Sequence, residues 1–282
     1  PTSPGLPPRL VGPATSFVGR RAAFARMDAL RRDGARLITV LGPGGAGKTR
    51  TVVEYADVVR PSPPAVWCDL SPARTAEHIC ASLAAALGIT ATHPEAIGLA
   101  LGALGQALLV LDNVEQAAVH AGELVHAWMG AAPEVVFVVT SRVALGLAAE
   151  HRVVLGPLSP GEAIELFLDR ARAVRHDVPA DTDVIGAIVA GLDCLPLAVE
   201  LVAARAQVLS PRSILERLRA PLALLGGPMR GTIEWSWGLL QPWERDALAQ
   251  CSVFRREFSA EAAEGILRLG DHDNAPLPLD VL

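Results

Sequence analysis

Lysine is almost absent from this sequence of 282 residues: of its 25 basic residues, 24 are Arg and the only lysine is Lys48. Either cation serves at most surface positions. A chain that uses Arg everywhere else keeps lysine where a compact ammonium on a slim stem fits and a planar guanidinium does not. Positive charge is not in excess either, and the net charge of −5 gives no overall field favouring nucleic acid or an anionic membrane. Cysteine is sparse. Cys68, Cys80, Cys194 and Cys251 are scattered without a C-x-x-C, so free buried thiols in a reducing compartment are expected rather than bridges. Long apolar runs are lacking: the longest uncharged stretch, 97–111, is broken by Gln106 and is too short to span a bilayer. The Pro-rich start, 1–8, has no apolar core and does not read as a signal peptide. A cytoplasmic protein with no membrane partner is the expectation. No H-x-x-x-H zinc spacing and no G-x-S-x-G nucleophile elbow occurs. Asp271-His272-Asp273 reads as a solvated loop rather than a metal site. Trp235, Trp237 and Trp243 read as core rather than a stacking platform.

The lone lysine closes Gly42-Pro43-Gly44-Gly45-Ala46-Gly47-Lys48-Thr49, which fits the phosphate-binding pattern G-x-x-x-x-G-K-[ST]. An apolar run, 37–41, leads into it and a helix-compatible run, 50–59, follows, so the motif has its strand–loop–helix context. Glycines let the backbone curl until successive N–H groups point inward at phosphate oxygens, and the helix N-terminus adds partial positive charge. Lys48 is then expected to reach the β- and γ-phosphates, and the Thr49 hydroxyl to ligate Mg²⁺.

Strand-like runs at 37–41, 65–70, 107–112, 135–140 and 152–155 alternate with helical patterns, which predicts a parallel sheet with helices on both faces. Ligands of such sheets sit at the carboxyl ends of the strands, where Lys48, Asp112 and Arg142 fall. Helices are expected at 75–87, 94–105 and 115–129. After 156–161 the pattern turns helical throughout, with helices at 162–174, 181–191, 196–208 and 211–225.

Leu108-Leu109-Val110-Leu111-Asp112 looks like a Walker B strand, four apolar residues and then an acid, with Asp112 holding Mg²⁺ through water. Many NTPases of this type place a second carboxylate next, to polarise the attacking water; here that residue is Asn113, which cannot take a proton. Glu115, two residues on, is the substitute. Arg142, after the strand ending in Thr140-Ser141, is placed to sense γ-phosphate charge. Lys48, Asp112, Glu115 and Arg142 are thus the candidate catalytic set, with Thr49 and Asp112 for Mg²⁺.

Six motifs in order resemble the STAND class of P-loop ATPases, on the NB-ARC/AP-ATPase branch, and most nearly the ATPase modules of large bacterial transcriptional and signalling regulators. They are Phe17-Val18-Gly19-Arg20, the loop 42–49 with Arg50, Leu109-Val110-Leu111-Asp112-Asn113, Val139-Thr140-Ser141-Arg142, Leu195-Pro196-Leu197-Ala198, and the stretch from Trp235-Ser236-Trp237 to Ser252-Val253-Phe254. The resemblance implies a lead-in at 1–16, a nucleotide-binding α/β domain at 17–156, a helical domain at 157–227 and a winged helix, C-terminally incomplete, at 228–282. It implies a switch that is closed with ADP, opens and self-associates with ATP, hydrolyses slowly or not at all, and drives an output domain in a larger protein. ATP/ADP and Mg²⁺ are the implied cofactors. Val18 and Arg20 would border the adenine and ribose. Gly44, Gly45, Ala46, Gly47, Lys48, Thr49 and Arg50 would form the phosphate site. Pro196, in the family's G-L-P-L position, would pack on the adenine; the family's glycine is Cys194 here. By the same pattern the histidine that reads the ADP β-phosphate and the sensor repeats lie beyond Leu282, so the chain reads as a fragment.

Two other readings compete. One is an actively hydrolysing AAA+-like ATPase, which needs a competent base and a trans Arg. The other is a DNA-binding regulator acting through the winged helix. Residues 230–282 carry five Arg against nine Asp and Glu. A duplex reader needs a basic face, so no direct nucleic-acid contact is expected. A GTPase is disfavoured, because the chain has no N-K-x-D motif and no second lysine to make one.

Overall fold

Alternation along the strands decides how the sheet is covered. The computed structural model describes residues 15–59, 65–218, 241–254 and 259–268, in two compact units, 1–218 and 219–282. In the first unit β1 (Leu37–Leu41), β2 (Val66–Asp69), β3 (Leu108–Asp112), β4 (Val136–Ser141) and β5 (Glu150–Val154) form a five-stranded sheet in the order β2-β3-β4-β1-β5. Every pairing is parallel.

Leu37, Leu109, Leu111, Phe137 and Val139 point to one face and pack with α3 (Ala76–Leu87), α4 (Pro94–Ala103) and α5 (Ala118–Ala131). Their neighbours Ile38, Val40, Leu108, Val110 and Val138 point to the other face, against α1 (Arg21–Arg32) and α2 (Lys48–Val59). Each such side chain contributes about 1.5–3 kcal/mol when fully buried. With both faces covered, these strands read as unbroken apolar runs. The sheet with helices on both faces is as the alternation predicts.

Four further helices follow in this unit: α6 (Pro160–Val174), α7 (Thr182–Gly191), α8 (Pro196–Ala203) and α9 (Pro211–Arg217). Local caps set their starts. Asp181 and Ser210 accept from the N–H groups of Val184 and Ser213, and Ser159 with Glu162 forms a reciprocal capping box. The end of the helix expected at 211–225 lies outside the described residues, and two other helices differ from expectation. The stretch after Asn113 begins as a 3-10 turn, Val114–Ala117, and the α-helix starts only at Ala118, because Ala117 at φ −135° and ψ 30° leaves the helical region. The helix from Pro196 ends at Ala203 and tightens into a 3-10 turn, Ala204–Gln207.

Cys194 is also left-handed, at φ +52°, and its carbonyl accepts from the Leu158 N–H. A side chain in that conformation costs about 1–2 kcal/mol, partly offset in a Gly variant by the entropy of the unfolded chain. Cys194→Gly is therefore expected to raise Tm by about 2 °C; a lower melting temperature would show that the thiol's packing outweighs the strain. All four cysteines are free. Cys68 and Cys80 are buried, and burial pushes the Cys68 thiol up to about 12. Cys194 and Cys251 are half-buried, more open than the buried thiols expected.

In the second unit α10 (Pro242–Cys251) and α11 (Ala260–Ile266) pack through Ala247, Ala263 and Leu267, with Trp243 against them. The Gln250 side chain clips the pair: its amide donates to the Arg268 carbonyl at 3.0 Å and accepts from the Arg268 N–H at 2.6 Å. Trp235, Trp237, residues 271–273 and most of the lead-in lie outside the described residues. No helix among the described residues is long and apolar enough to cross a membrane.

Candidate functional site

The loop between β1 and α2 curls over the carboxyl end of the sheet. Lys48 opens α2 and is only 8% exposed. Its ammonium donates to the carbonyls of Gly42 at 2.9 Å and Pro43 at 3.2 Å. Among the described residues no carboxylate lies within ion-pair distance of it. Burial lowers its pKa; Glu115 and Asp112 act against that and Arg142 with it. A buried cation whose third donor is left over by two neutral carbonyls suits an anionic occupant.

Gly45 shows why the loop needs glycine. It is left-handed at φ +79°, and a Cβ there would lie 3.1 Å from the Leu197 Cβ. Its carbonyl accepts from the Leu197 N–H at 3.2 Å. The first turn of α8, with Pro196, thus sits directly on the phosphate-type loop.

Asp112 ends β3 and is 3% exposed. The Thr49 hydroxyl donates to both its oxygens, at 2.9 and 3.1 Å. β4 separates the two strands involved, and Thr140 on it donates its hydroxyl to Asp112 Oδ1. Asn113 completes the set: its backbone N–H donates to the Thr140 hydroxyl and its side-chain amide to Asp112 Oδ2, each at 3.0 Å. The same amide donates to Ser71, which in turn bonds Asp69. Burial raises the pKa of Asp112, opposed by the Thr140 and Thr49 hydrogen bonds. Asn113 therefore holds the carboxylate in place, a role the sequence reading, concerned with its lost proton chemistry, did not see.

Glu115 sits in the 3-10 turn and faces Arg142, just past β4, with 3.3 Å between Oε1 and Nε. The Glu115 side chain is 15% exposed and that of Arg142 63%. The second Glu115 oxygen is buried without a hydrogen-bond partner. A Cβ on Gly44 would lie 3.4 Å from the Arg142 guanidinium, so this arginine reaches over the loop.

Arg20 ties three parts together. It is left-handed at φ +65°, its N–H donates to Glu162 Oε1 at 3.0 Å, and its guanidinium donates to the Ala46 carbonyl at 2.7 Å. The preceding Gly19 is left-handed at φ +79°, and a Cβ there would crowd the Glu162 carboxylate at 2.7 Å. Burial alone would raise the Glu162 pKa, but hydrogen bonds from Ser159 and Arg20 outweigh it and hold the carboxyl low. Arg50 lies over the Phe17 ring, 6.0 Å from its centroid, and pairs with Glu54 at 2.8 Å.

These residues surround one cavity of about 470 Å³. Val18, Arg20, Gly44 through Arg50, Glu115, Arg142 and Pro196 all line it; Asp112 does not, lying behind Thr49. Residues missed by the sequence reading also line it, among them Arg170 and Glu200. Arg170 donates to Glu200 at 3.0 Å and to the Ser16 carbonyl at 2.8 Å. No motif marks this pair: its members sit on α6 and α8, 30 residues apart, and meet only through helix packing. Among the described residues no group of three His, Cys, Asp or Glu is arranged to hold a metal.

The parallel sheet and the glycine-rich loop ahead of α2 define an α/β P-loop NTPase fold. The Walker-type ATPase PABY2304 of Pyrococcus abyssi has the same fold, with a TM-score of 0.66 at 16% identity over 93% of this chain and 86% of that one. No protein-family model matches the sequence. Over 271 residues it is 36% identical to the uncharacterized protein Rv0894 of Mycobacterium tuberculosis, covering 89% of this chain and 69% of that protein. The chain belongs to the family of that mycobacterial protein. It is also 31% identical, over 84% of its length, to Rv0890c of Mycobacterium tuberculosis, a protein named as a candidate HTH-type transcriptional regulator. That match takes in only 29% of the relative.

Proposed function

We propose that this chain is an adenine-nucleotide switch of the STAND class, on the NB-ARC/AP-ATPase branch, with an ADP-bound resting state and an ATP-bound, self-associating state. In this reading 17–156 is the nucleotide domain, 157–227 the helical domain and 228–282 a winged helix. The observation that carries the reading is the composite lining of the cavity: the phosphate-type loop and the first turn of α8 both line it and are joined by the Leu197–Gly45 hydrogen bond. An occupant touches both, so nucleotides that differ at the phosphate end can bias how the two are held. The name of the Rv0890c relative supports a regulatory output in a larger protein.

Lys48 and the loop amides would bind the phosphates, Val18 and Arg20 border the adenine and ribose, and Pro196 packs on the base. Thr49 and Asp112 would hold Mg²⁺, and their mutual hydrogen bond with the burial of the acid fits that role. Bound Mg²⁺ would neutralise charge on the β- and γ-phosphates. Arg142 would read the γ-phosphate. Arg142→Ala is expected to weaken ATP binding roughly tenfold and ADP binding far less, the scale of one charged hydrogen bond; equal losses in calorimetric titrations would assign it a structural role.

The first experiment is to denature the purified protein and identify any nucleotide released. Stoichiometric ADP supports the switch. An empty pocket with steady turnover supports a working ATPase instead. One feature favours that second reading: Glu115 lines the cavity near Lys48 and Thr49, a carboxylate on the side where an attacking water would be held. Turnover abolished by Glu115→Gln would establish it.

A further inference from the structure

The Glu115–Arg142 pair joins two unequal partners. Glu115 is anchored: it is mostly buried and held in the 3-10 turn that the left-handed Asn113 initiates. Arg142 is mostly exposed and beside Gly44 of the loop, so its side chain can turn without unpacking anything. The pair, Lys48 and the loop share one wall of the cavity.

We propose that this ion pair is a latch at the phosphate end of the cavity, opened when a γ-phosphate takes Arg142 away from Glu115. The proposal rests on the nucleotide reading above. A terminal phosphate carries more charge than one carboxylate and would sit beside Lys48, within reach of the exposed guanidinium. ADP has no such group and leaves the pair closed. Opening releases the Glu115 oxygen that faced Arg142, so the event that reports ATP also frees an acceptor on the cavity lining able to hold a water. Breaking the pair subtracts from the affinity for ATP and not from that for ADP. Removing the Glu115 charge while keeping Arg142 should therefore tighten ATP selectively.

The test is a double-mutant cycle on the full chain, titrated with Mg·ADP and with the Mg complex of the β,γ-imido analogue of ATP, which is not turned over. Glu115→Gln is expected to tighten the analogue roughly threefold, the scale of an ion pair with one exposed partner, and to leave ADP unchanged. In an Arg142→Gln background the same change should have no selective effect. Glu115→Asp keeps the charge but withdraws the carboxylate by one methylene, so it too should tighten the analogue. Equal tightening with and without Arg142 would mean that Glu115 repels the phosphate directly, and would overturn the latch. So would no tightening in either variant while ADP binding persists. Wild-type protein that binds neither nucleotide would sink the site reading together with the latch.

Discussion

Replacing Lys48 with Ala is expected to weaken nucleotide binding by at least roughly thirtyfold, since truncating one partner of a buried charge pair costs about 2–5 kcal/mol. Binding measured by calorimetry and unchanged from wild type would remove the loop from the site. Lys48→Arg is expected to fail as well, although it keeps the charge. Lys48 is 8% exposed and its ammonium is held by the carbonyls of Gly42 and Pro43, a setting fitted to a compact cation rather than a planar fork. The chain's 24 arginines make this substitution the sharpest one, because nothing about composition forbids it. Stability should move the other way. Burial lowers the Lys48 pKa, so the charged form is disfavoured in the folded protein relative to the unfolded chain. For a cation that shift costs stability at pH values below the folded pKa, and the cost fades as pH rises through it. Lys48→Met should therefore raise the Tm of the nucleotide-free protein near neutral pH while abolishing binding, the trade expected of a site built for a ligand rather than for the fold.

Asp112→Ala is expected to lower Tm by roughly 6–12 °C, from a loss of about 3 kcal/mol. The carboxylate receives Thr49, Thr140 and the Asn113 amide, and all three donors would be stranded in a site that is 3% exposed at its centre. The two hydroxyls can turn elsewhere, which keeps the loss below three full desolvation penalties. A fall of less than about 2 °C would mean that water replaces the carboxylate freely. Asp112→Asn preserves the volume and should fold, but ATP binding should lose its dependence on Mg²⁺. Titrations with and without the metal measure this directly. Mg²⁺-dependence left intact in Asp112→Asn would remove the acid from the metal site.

The two sets of variants touch parts of the site that were unequally visible beforehand. The loop 42–49 is local: its glycines, its lysine and its hydroxyl are consecutive, so a pattern over eight residues captures them. Asp112 was visible because a strand buried on both faces reads as a solid apolar run that ends where a carboxylate can first be useful. Glu115 and Arg142 were each visible as candidates, but not as a pair, since 27 residues separate them. Arg170 and Glu200 were not visible at all. Their ion pair closes the Ser16 side of the cavity, yet each alone is an ordinary charged residue on an amphipathic helix.

What the sequence determined by itself was what short-range chemistry decides. Alternating apolar strands and helical patterns required a parallel sheet covered on both faces. The glycine spacing required a curled loop, and one lysine among arginines marked where charge and shape are both demanded. The tertiary structure alone decided the rest. Strand order places β4 between β1 and β3, which brings Thr140 to the acid and frees Asn113 to steady it. Packing of α8 on the loop makes Gly45 and Leu197 neighbours across 152 residues of chain. The Gly19–Arg20 turn closes onto the Glu162 cap, which then serves both its own helix and the loop. These contacts depend on which surfaces meet. That follows from how all the apolar faces are buried together, and no local pattern records it.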